Sequence, residues 1–470
     1  MKRIAIVGGG IAGLSAAFYL EQAKRSGAAL EYVLYESLER LGGVLRSERV
    51  DDCLLEAGPD SFLTEKPWAA DLCRDLGLEG ELIGSSDHLR RTFILADGRL
   101  LALPEGLQFM VPTRIWPIVA SPLFSLGTKL RMAREYFSRS RPPEEDESAA
   151  NLVERHFGGE VLERIADPLL AGVYGGDAER LSARAALPRF VEMEARSGSL
   201  TRGLLAARKA ATCSAAPRPL FTALRGGMQQ MVDALVARLP SAALRASTSV
   251  TQLGREGARW LLTFSSGPAE SFDSVVLALP AYRAAELLES VSAPLATLLH
   301  RIPYNSATTV SLGYDAASLS AAERAAISEG SGFLVPRSEG RSLLACTFVH
   351  NKFSGRAPEG RLLLRAFLRD LEGGPTLSDG ELVQLVKNDL REILGLAAEP
   401  RFARVYRWPA AMAQYEVGHL DRLAEIERLR AELPGLALIG NAYRGIGVPD
   451  CIRSGRDAAE EIARSLSLSS

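Results

Sequence analysis

Residues 2–20, KRIAIVGGGIAGLSAAFYL, decide the fold of this chain. An apolar run typical of a buried strand leads into Gly8, Gly10 and Gly13, and an apolar helical pattern follows. At this spacing Gly8 permits a tight turn, Gly10 lets the backbone approach a pyrophosphate, and Gly13 lets the helix pack against the strand. The free N–H groups at the positive end of the helix then face the phosphates. The residues predicted to hold a dinucleotide here are Gly8, Gly9, Gly10, Ile11, Ala12 and Gly13.

A carboxylate follows the next predicted strand at the position that this interpretation requires. The strand over 32–35 ends at Glu36, which comes 23 residues after Gly13. Such an acid accepts hydrogen bonds from an adenosine ribose, and we assign the adjacent Ser37 to the same site. A structural glycine-rich turn is the alternative. The agreement of strand, helix, second strand and acid favours dinucleotide binding.

Two further turns favour FAD over NAD. Residues 37–48, SLERLGGVLRSE, resemble the second flavin motif of amine-oxidase-like FAD proteins. In those proteins the glycine backbone contacts the pyrophosphate and the arginine lies nearby; a solvated surface charge is the alternative for Arg40. Residues 58–61 form a rigid turn, because proline restricts φ and glycine tolerates close approach. The resemblance assigns Arg40, Gly42 and Gly43 to the pyrophosphate region, and Gly58, Pro59, Asp60 and Ser61 to the flavin ring.

The other end of the chain carries a second glycine-rich signal. Residues 436–462, LALIGNAYRGIGVPDCIRSGRDAAEEI, again read as strand, turn and helix. The turn, with Gly440 and Asn441, resembles the loop that closes over a flavin. We therefore expect the chain to wrap one FAD, bound without a covalent link because no Cys or His suggests an attachment point.

Composition excludes several classes of protein. The chain has 470 residues, is 47% hydrophobic and carries a formal net charge of −2, which gives no electrostatic case for nucleic acid. Its five cysteines are scattered without a C-x-x-C pair, so we expect neither a disulfide framework nor a metal site. With no signal-peptide pattern at the start, we expect a cytoplasmic protein.

One apolar stretch has two interpretations. Residues 102–127, ALPEGLQFMVPTRIWPIVASPLFSLG, are apolar and aromatic but are interrupted by four prolines. They form either a buried irregular connection or a surface that lies on a bilayer or leads to a lipophilic substrate channel. Basic residues flank the stretch: Arg114, Lys129, Arg131 and Arg134. The second interpretation predicts loose peripheral attachment to the inner face of the membrane.

These patterns predict an α/β fold with a Rossmann-type FAD-binding domain, a mixed α+β substrate domain and a helical insertion. The FAD-binding domain comprises 1–85, 213–280 and 410–470, with 213–218 as a flexible return loop. The helical, membrane-associating insertion spans 86–212, and the substrate domain spans 281–409. Within these units we predict a buried parallel strand over 274–280 and a helix over 377–396.

Several blocks resemble one family along nearly the whole chain, the oxygen-dependent porphyrinogen oxidases of heme synthesis. They are GPDSFLTEKP (58–67), GVYGGDAERLS (172–182), ALRGGMQQMVDAL (223–235), RWPAAMAQYEVGHLDRL (407–423) and IGNAYRGIGVPDCI (439–452). The second and fourth blocks are the most specific. The family contains protoporphyrinogen oxidase and coproporphyrinogen III oxidase.

The resemblance implies further cofactor contacts. Trp408 would lie against the flavin, with a core aromatic as the alternative. Ile446, Gly447 and Val448 would contact the ring through their backbone, because N–H donors suit the end of the ring where reduction builds negative charge. Val250 would lie beside the adenine, with an ordinary strand valine as the alternative.

The activity implied is oxidation of a porphyrinogen to a porphyrin, with dioxygen as acceptor and hydrogen peroxide released. No catalytic side chain is required, since the flavin abstracts hydride and the protein holds the ring. The implied partners are the porphyrinogen and dioxygen, with a second copy of the chain and the next enzyme of the pathway as further candidates.

The resemblance places substrate contacts at Arg90, Arg91 and Phe353. Adjacent Arg90 and Arg91 fall where the family contacts a propionate, and Phe353 could stack on the ring or belong to the core. A protoporphyrinogen-specific pattern has Arg directly before the aromatic residue, whereas Thr92 stands there in this chain. This departure and MVPTRIWP (110–117) favour coproporphyrinogen, with protoporphyrinogen as the alternative.

Three other kinds of protein share the end motifs. A flavin amine oxidase or a carotenoid desaturase would share both, but the middle blocks argue against them. A non-enzymatic relative without flavin would not need the intact turns at 40–43 and 58–61. The colour of the purified protein separates these possibilities.

Overall fold

The computed structural model describes residues 1–86, 91–139, 145–211, 219–369 and 377–467. The return loop predicted over 213–218 and the candidate substrate residue Arg90 lie outside these ranges. Within them the structure is mixed α/β, which confirms the predicted fold class.

Strands and helices are numbered along the chain. The strands are β1 (Lys2–Val7), β2 (Leu30–Tyr35), β3 (Ser47–Val50), β4 (Cys53–Glu56), β5 (Phe62–Leu63), β6 (Leu82–Gly84), β7 (Thr92–Ala96), β8 (Arg99–Ala102), β9 (Leu107–Gln108), β10 (Val111–Pro112), β11 (Phe221–Leu224), β12 (Leu244–Arg245), β13 (Val250–Glu256), β14 (Arg259–Phe264), β15 (Glu270–Phe272), β16 (Ser274–Leu277), β17 (Tyr304–Asp315), β18 (Gly332–Leu334), β19 (Leu343–Phe348), β20 (Arg361–Leu368), β21 (Phe402–Ala413) and β22 (Leu436–Leu438). The helices are α1 (Ile11–Arg25), α2 (Pro67–Asp75), α3 (Ile115–Ala120), α4 (Leu126–Glu135), α5 (Ala149–Phe157), α6 (Gly159–Val161), α7 (Asp167–Tyr174), α8 (Ala183–Ala186), α9 (Pro188–Ser197), α10 (Leu200–Ala211), α11 (Gln229–Arg238), α12 (Ala281–Leu288), α13 (Ala293–His300), α14 (Ala321–Ser328), α15 (Val349–Lys352), α16 (Asp379–Leu394), α17 (His419–Ala431) and α18 (Val448–Ser467).

A parallel five-stranded sheet brings the two ends of the chain together. Its order is β12-β2-β1-β16-β22, and each neighbouring pair is parallel. The predicted buried strand over 274–280 is β16, and it separates the first strand of the chain from the last. Because the carboxyl ends of parallel strands meet at one edge, the N-terminal and C-terminal turns lie on the same side of the sheet.

A second sheet, largely antiparallel, forms the other large unit. Its order is β21-β17-β20-β19-β18-β7-β8, and β17 is hydrogen-bonded to β20 on one side and β21 on the other. Helix α16 covers this sheet and has the predicted start, since Ser378 and Glu381 form a capping box. Leu382, Val386 and Leu390 of that helix pack into the same apolar cluster as Val310 and Leu364.

The second sheet extends into residues that we predicted to be helical. The predicted helical unit over 86–212 begins with two strands, β7 and β8, and β7 pairs in parallel with β18. Alternating apolar residues in 92–102 carry the strand period, but their partner lies more than 200 residues away in the chain. The first helix described in this region, α3, begins only at Ile115.

The apolar stretch over 102–127 is divided between core and surface. Met110, Val111 and Phe124 are buried among helices of the same unit, whereas Ile115 and Trp116 are 78% and 81% exposed. This one segment thus contains both buried residues, as the first interpretation predicts, and exposed apolar residues, as the second predicts. In the part of the chain that the structure describes, every helix is too short or too polar to span a bilayer.

Candidate functional site

The first glycine turn is set by contacts within the backbone. Gly8 has φ of +108°, and its N–H donates to the carbonyl of Tyr35 at 2.8 Å. A Cβ on Gly13 would overlap the carbonyl oxygen of Gly8 and would lie 3.1 Å from the Cβ of Ala278. A Cβ on Gly10 would meet no atom within 4 Å. Gly8 and Gly13 are thus required by the chain itself, and open space lies at Gly10, where a ligand can approach.

The start of α1 is available to an anion. No side chain caps this helix end, and its first turn, which begins at Ile11 and Ala12, carries no acidic residue. Lys24 and Arg25 occupy the last turn, where cations suit the negative end of the helix. The first N–H groups of a helix have no intrahelical partner, so those at the start of α1 are open to a phosphate.

Glu36 closes the turn from the second strand. Its Oε2 accepts the Gly9 N–H at 2.7 Å, and its Oε1 accepts the Leu38 N–H at 2.9 Å and the Ser37 hydroxyl at 3.1 Å. Each carboxylate oxygen offers two lone pairs, so Oε2 retains an acceptor position beside the turn. The carboxylate predicted to bind a ribose therefore also orients Gly9.

Backbone hydrogen bonds join Glu36 to the segment that leads into Val250. The Glu36 N–H donates to the carbonyl of Arg245 at 2.9 Å, and the Thr248 N–H donates to the carbonyl of Glu36 at 2.8 Å. Two residues later Val250 begins β13 and packs, half-buried, against the apolar cluster that contains Tyr35. The placement agrees with the edge at which an adenosine would lie.

The second motif docks directly on the first. The Gly42 N–H donates to the carbonyl of Gly9 at 2.7 Å, and a Cβ on Gly43 would lie 3.2 Å from the Cα of Gly10. Both residues have positive φ, 107° for Gly42 and 56° for Gly43. Glycine is needed at both positions because of this backbone conformation and the close approach.

Arg40 stabilises that turn from within. Its guanidinium donates to the carbonyls of Leu41 and Leu45 at 3.0 and 2.9 Å, to the carbonyl of Gly43, and to Oε1 of Gln229 at 3.1 Å. The side chain is thus neither the solvated charge of the alternative nor free to move. Its role in the structure is to hold the backbone of the RLGG turn.

The turn over 58–61 packs against the residues that follow the second motif. A Cβ on Gly58 would overlap the carbonyl oxygen of Val44. The Gly58 carbonyl accepts a hydrogen bond from Arg365 Nη2 at 2.7 Å, and Pro59 follows. The Ser61 hydroxyl donates to Oδ1 of Asp60 at 2.6 Å. The turn is therefore held between the two large units.

A buried group of charges surrounds this turn. Lys352 Nζ lies 2.7 Å from Oδ2 of Asp60, and Arg356 Nη1 lies 3.4 Å from Oε1 of Glu56. Burial opposes ionisation of Asp60, yet the cations of Lys352 and Arg365 hold the pKa of Asp60 below its usual range. Burial raises the pKa of Glu56 to about 7, against the opposing effect of Arg356. We did not identify the three cations from the sequence; the available signal was an arginine inside the otherwise apolar β20.

The C-terminal loop, residues 440–447, is shaped by side chains. Gly440 has φ of +120°, and a Cβ there would meet no atom within 4 Å. The Asn441 side chain donates to the carbonyl of Ala411 at 2.9 Å, and the Gly447 N–H donates to Oδ2 of Asp450 at 3.2 Å. Of the three residues predicted to offer N–H groups to the flavin ring, Gly447 already has a partner, Ile446 is half-buried, and Val448 is the first residue of α18.

Gly455 joins the two ends of the chain and was not predicted from sequence. A Cβ at this position of α18 would overlap the carbonyl oxygen of Ala12 and would lie 2.9 Å from the nitrogen of Ala16. The glycine therefore lets α18 cross α1 at close distance. A glycine inside the helical pattern of residues 448–467 was the signal that could have revealed this contact.

Trp408 contacts the residue that precedes the turn over 58–61. Its indole N–H donates to the carbonyl of Ala57 at 2.7 Å, and its half-buried ring packs beside Cys53, Leu55 and Tyr406. The structure thus places Trp408 next to the residues assigned to the flavin ring. Contact with the ring itself stays a prediction.

Phe353 is buried. Its side chain is 1% exposed and belongs to a small core cluster with Ile83 and Ala223. The cations of Lys352 and Arg356 lie 5.2 and 5.6 Å from the ring centroid. The structure thus places Phe353 in a core cluster, which is one of the two predicted alternatives, and stacking on a substrate ring stays a prediction.

Arg91 lies at the rim of the second sheet. It precedes β7, its side chain is 68% exposed, and it forms an ion pair of 3.3 Å with Glu329. Its carbonyl accepts the Ser331 N–H at 2.8 Å, so the backbone is fixed while the guanidinium faces solvent. A propionate would compete with Glu329 for this guanidinium.

The residues at the sheet edge fit an FAD. An uncapped helix end and open space at Gly10 suit a pyrophosphate, and the carboxylate of Glu36 suits a ribose. The second open glycine, Gly440, belongs to the loop that faces the same edge. The arrangement can hold an extended dinucleotide along the carboxyl ends of the strands.

Comparison with known proteins agrees with this arrangement. The model of the flavin containing amine oxidoreductase family matches residues 11–463. Coproporphyrinogen III oxidase of Bacillus subtilis is 33% identical over 98% of this chain and 97% of its own length. The chloroplastic protoporphyrinogen oxidase of Nicotiana tabacum is 30% identical over 98% of this chain and 85% of its own length.

Solved structures give the same result. A crystal structure from Exiguobacterium sp. 255-15 that carries the name protoporphyrinogen oxidase has a TM-score of 0.86 and 32% identity, and 99% of each chain is covered. Reduced UDP-galactopyranose mutase, at 15% identity, shares the fold alone, with a TM-score of 0.73. This chain therefore belongs to the flavin-containing amine oxidoreductase family and, within it, to the porphyrinogen oxidases.

Proposed function

We propose that this protein oxidises a porphyrinogen to the porphyrin in heme biosynthesis, with dioxygen as acceptor and hydrogen peroxide as the second product. Similarity over 98% of the chain to coproporphyrinogen III oxidases supports the proposal, because it includes the helical unit and the second sheet. Bound FAD would supply the hydride-accepting chemistry. The chain's own residues would hold the cofactor and form the walls of the site.

The observation that carries this proposal is the meeting of the two most family-specific blocks. Gln414 Nε2 donates to the carbonyl of Tyr174 at 2.7 Å, and the Ser182 N–H donates to the carbonyl of Tyr415 at 2.7 Å. Asn305 Nδ2 also donates to the carbonyl of Gly175 at 2.6 Å. These bonds hold the end of α7 against the second sheet, beside the C-terminal loop. A generic flavin amine oxidase does not require these two blocks.

We propose coproporphyrinogen III as the substrate, with protoporphyrinogen IX as the alternative. The departure at Thr92 and the names of the bacterial relatives support this choice. The purified protein should be yellow, with flavin released by denaturation. Porphyrin fluorescence should then rise with both substrates and faster with coproporphyrinogen. A colourless protein, or a flavoprotein that oxidises amines and neither porphyrinogen, would contradict the proposal.

Arg91 is the described candidate for a propionate contact. Because its guanidinium is exposed and paired with Glu329, screening limits its contribution, and we expect Arg91→Ala to lower kcat/KM by about threefold to tenfold. The loss should be larger with coproporphyrinogen, which has four propionates, than with protoporphyrinogen, which has two. Arg99→Ala, in the same hairpin, is the control for removal of one positive charge. Equal effects of the two variants would mean that Arg91 is an ordinary surface charge.

We also propose that the protein binds membranes loosely through an apolar surface on α3, α4 and the residues after α4. Its members are Ile115, Trp116, Val119, Leu126, Leu130, Tyr136 and Phe137, all exposed. Arg131 and Arg134 lie on the same segment as this apolar surface, where they can meet anionic headgroups. Buried Phe124 and half-buried Phe109 do not belong to it.

Flotation with vesicles that contain anionic lipid tests this attachment. The wild type should float, and a triple variant Ile115→Ser, Trp116→Ser, Phe137→Ser should stay at the bottom of the gradient. Leu38→Ser, Leu63→Ser, Val417→Ser removes three exposed apolar side chains elsewhere and serves as the control. Equal flotation of the two triple variants would reject the assignment of this surface. A second copy of the chain and the next enzyme of the pathway stay predictions as partners.

A further inference from the structure

One buried tyrosine hydroxyl shapes the C-terminal loop. Tyr415 is 2% exposed, and its hydroxyl donates to the carbonyl of Asn441 at 2.8 Å while it accepts the N–H of Gly445 at 2.9 Å. The two bonds fall on opposite sides of the loop. They use the single O–H donor and one acceptor position of the hydroxyl, so the loop is clamped between them.

Tyr415 is itself held in place by several contacts. Its ring stacks on His419, with centroids 4.1 Å apart and an angle of 12° between the planes. Its carbonyl accepts the Ser182 N–H of the helical unit, and the preceding Gln414 binds the carbonyl of Tyr174. The hydroxyl is therefore fixed relative to the helical unit and to the second sheet.

The loop has a conformation that needs outside support. Gly440 and Gly445 both have positive φ, 120° and 109°; glycine reaches these values readily but loses more conformational freedom than other residues when it is fixed there, so contacts must order the loop. The partner of the Gly445 N–H in the described part of the chain is the Tyr415 hydroxyl. Without it a buried or half-buried N–H and a carbonyl would lose their bonds, which favours an opened loop.

We infer that Tyr415 is a positioning residue for the flavin: its hydroxyl pre-organises the loop over 440–447 and couples that loop to the end of α7. The inference rests on the proposed function, since the loop is assigned to the flavin. Burial raises the pKa of Tyr415 well above its usual range, so the proton that binds the Asn441 carbonyl is retained at all working pH values. Tyr415 acts through the loop backbone and takes no part in the chemistry.

Removal of the hydroxyl alone tests the inference. In Tyr415→Phe we expect the Kd of the apoprotein for FAD to rise about tenfold, since a pre-organised site avoids the cost of ordering the loop. Amides of 440–447 in the apoprotein should exchange with deuterium at least tenfold faster. Tyr406→Phe is the matched control, because Tyr406 is buried in β21 and its hydroxyl binds Glu48 at 2.6 Å, away from the loop. Its Kd should stay within about twofold of wild type.

Two results would overturn the inference. The first is a Tyr415→Phe protein that binds FAD and exchanges the loop amides as wild type does. The second needs only wild-type apoprotein and so applies even if that variant does not fold. It is exchange of the loop amides as fast as that of the exposed turn at Gly257, which would mean that the hydroxyl does not order the loop. Failure of wild type to oxidise either porphyrinogen would contradict the proposed function but would leave the FAD comparison interpretable.

Discussion

The two glycine turns at the edge of the first sheet are built in different ways. The N-terminal turn, from Gly8 to Gly13, is determined by steric exclusion at its glycines, since a Cβ on Gly8 would overlap the carbonyl oxygen of Ala278 and a Cβ on Gly13 would overlap that of Gly8. The C-terminal loop over 440–447 is held by the side chains of Tyr415 and Asp450 and by the carbonyl of Ala411.

This difference determines how each turn can fail. Steric exclusion in the N-terminal turn is all-or-none, because backbone atoms cannot move apart without disrupting the sheet. Hydrogen bonds to the C-terminal loop each contribute modestly, so removal of one weakens the loop without unfolding the protein. The first turn should therefore be most sensitive at its glycines, and the second at residues far from it in the chain.

The largest effect is expected at the N-terminal turn. Gly13→Val places a branched side chain where even a Cβ overlaps the Gly8 carbonyl, so we expect loss of bound flavin and a fall of about 3 kcal/mol or more in the free energy of unfolding. Visible absorbance and urea denaturation measure the two effects.

Gly10→Ala sharpens this test. Its Cβ meets no atom of the chain, so the apoprotein should be as stable as wild type while flavin binding is weakened. If Gly13→Val kept its flavin, or if Gly10→Ala unfolded, the division between chain-required and ligand-required glycines would be wrong.

A pH effect is expected at Glu56, which lies two residues before the turn over 58–61. Burial raises the pKa of Glu56 from 4.5 to about 7. Because the folded protein retains a proton that the unfolded chain releases, the contribution of Glu56 to stability is fully present below pH 4.5 and is lost as the pH rises to about 7, by about 3 kcal/mol at most.

Urea denaturation of the apoprotein and of Glu56→Gln across this pH range measures this contribution. The stability difference between wild type and Glu56→Gln should change across the range, whereas the difference between wild type and Glu31→Gln, which removes an exposed carboxylate of β2, should stay constant. Parallel curves for wild type and Glu56→Gln would show that Glu56 does not titrate in this window.

The smallest effect is expected at the C-terminal loop. Lys66 Nζ lies 2.6 Å from Oδ2 of Asp450, which is 4% exposed and accepts the Gly447 N–H. Lys66 is 37% exposed, so solvent screens the pair, and Lys66→Met should cost about 1 kcal/mol and weaken FAD binding about threefold. Lys66→Arg should restore most of the affinity.

Lys24→Met, at the exposed end of α1, controls for the loss of charge in this experiment. Titration of the apoproteins with FAD gives the affinities. Equal Kd values for Lys66→Met and Lys24→Met would mean that the ion pair does not support the loop.

Local patterns made several elements predictable. The strand over 274–280 and the helix over 377–396, with its Ser/Asp start, each depend on residues close in sequence, and the structure has a strand at Ser274–Leu277 and a helix at Asp379–Leu394. The strands β7 and β8 were assigned wrongly to a helical unit because their partner, β18, lies far along the chain. The sequence left Phe353 open between cleft and core because an aromatic residue looks the same in sequence whether it lines a site or fills a core.

The sequence alone determined the α/β fold, the glycine turns with Glu36, and the family, because these depend on short spacings and on the conformational freedom of glycine. Tertiary structure decided which side chains support those turns: Lys352, Arg356 and Arg365 around the turn over 58–61, and Tyr415 at the C-terminal loop. The physical reason is that a buried charge or hydroxyl is stabilised by partners that folding brings together. No pattern of neighbours in the chain specifies such a partner.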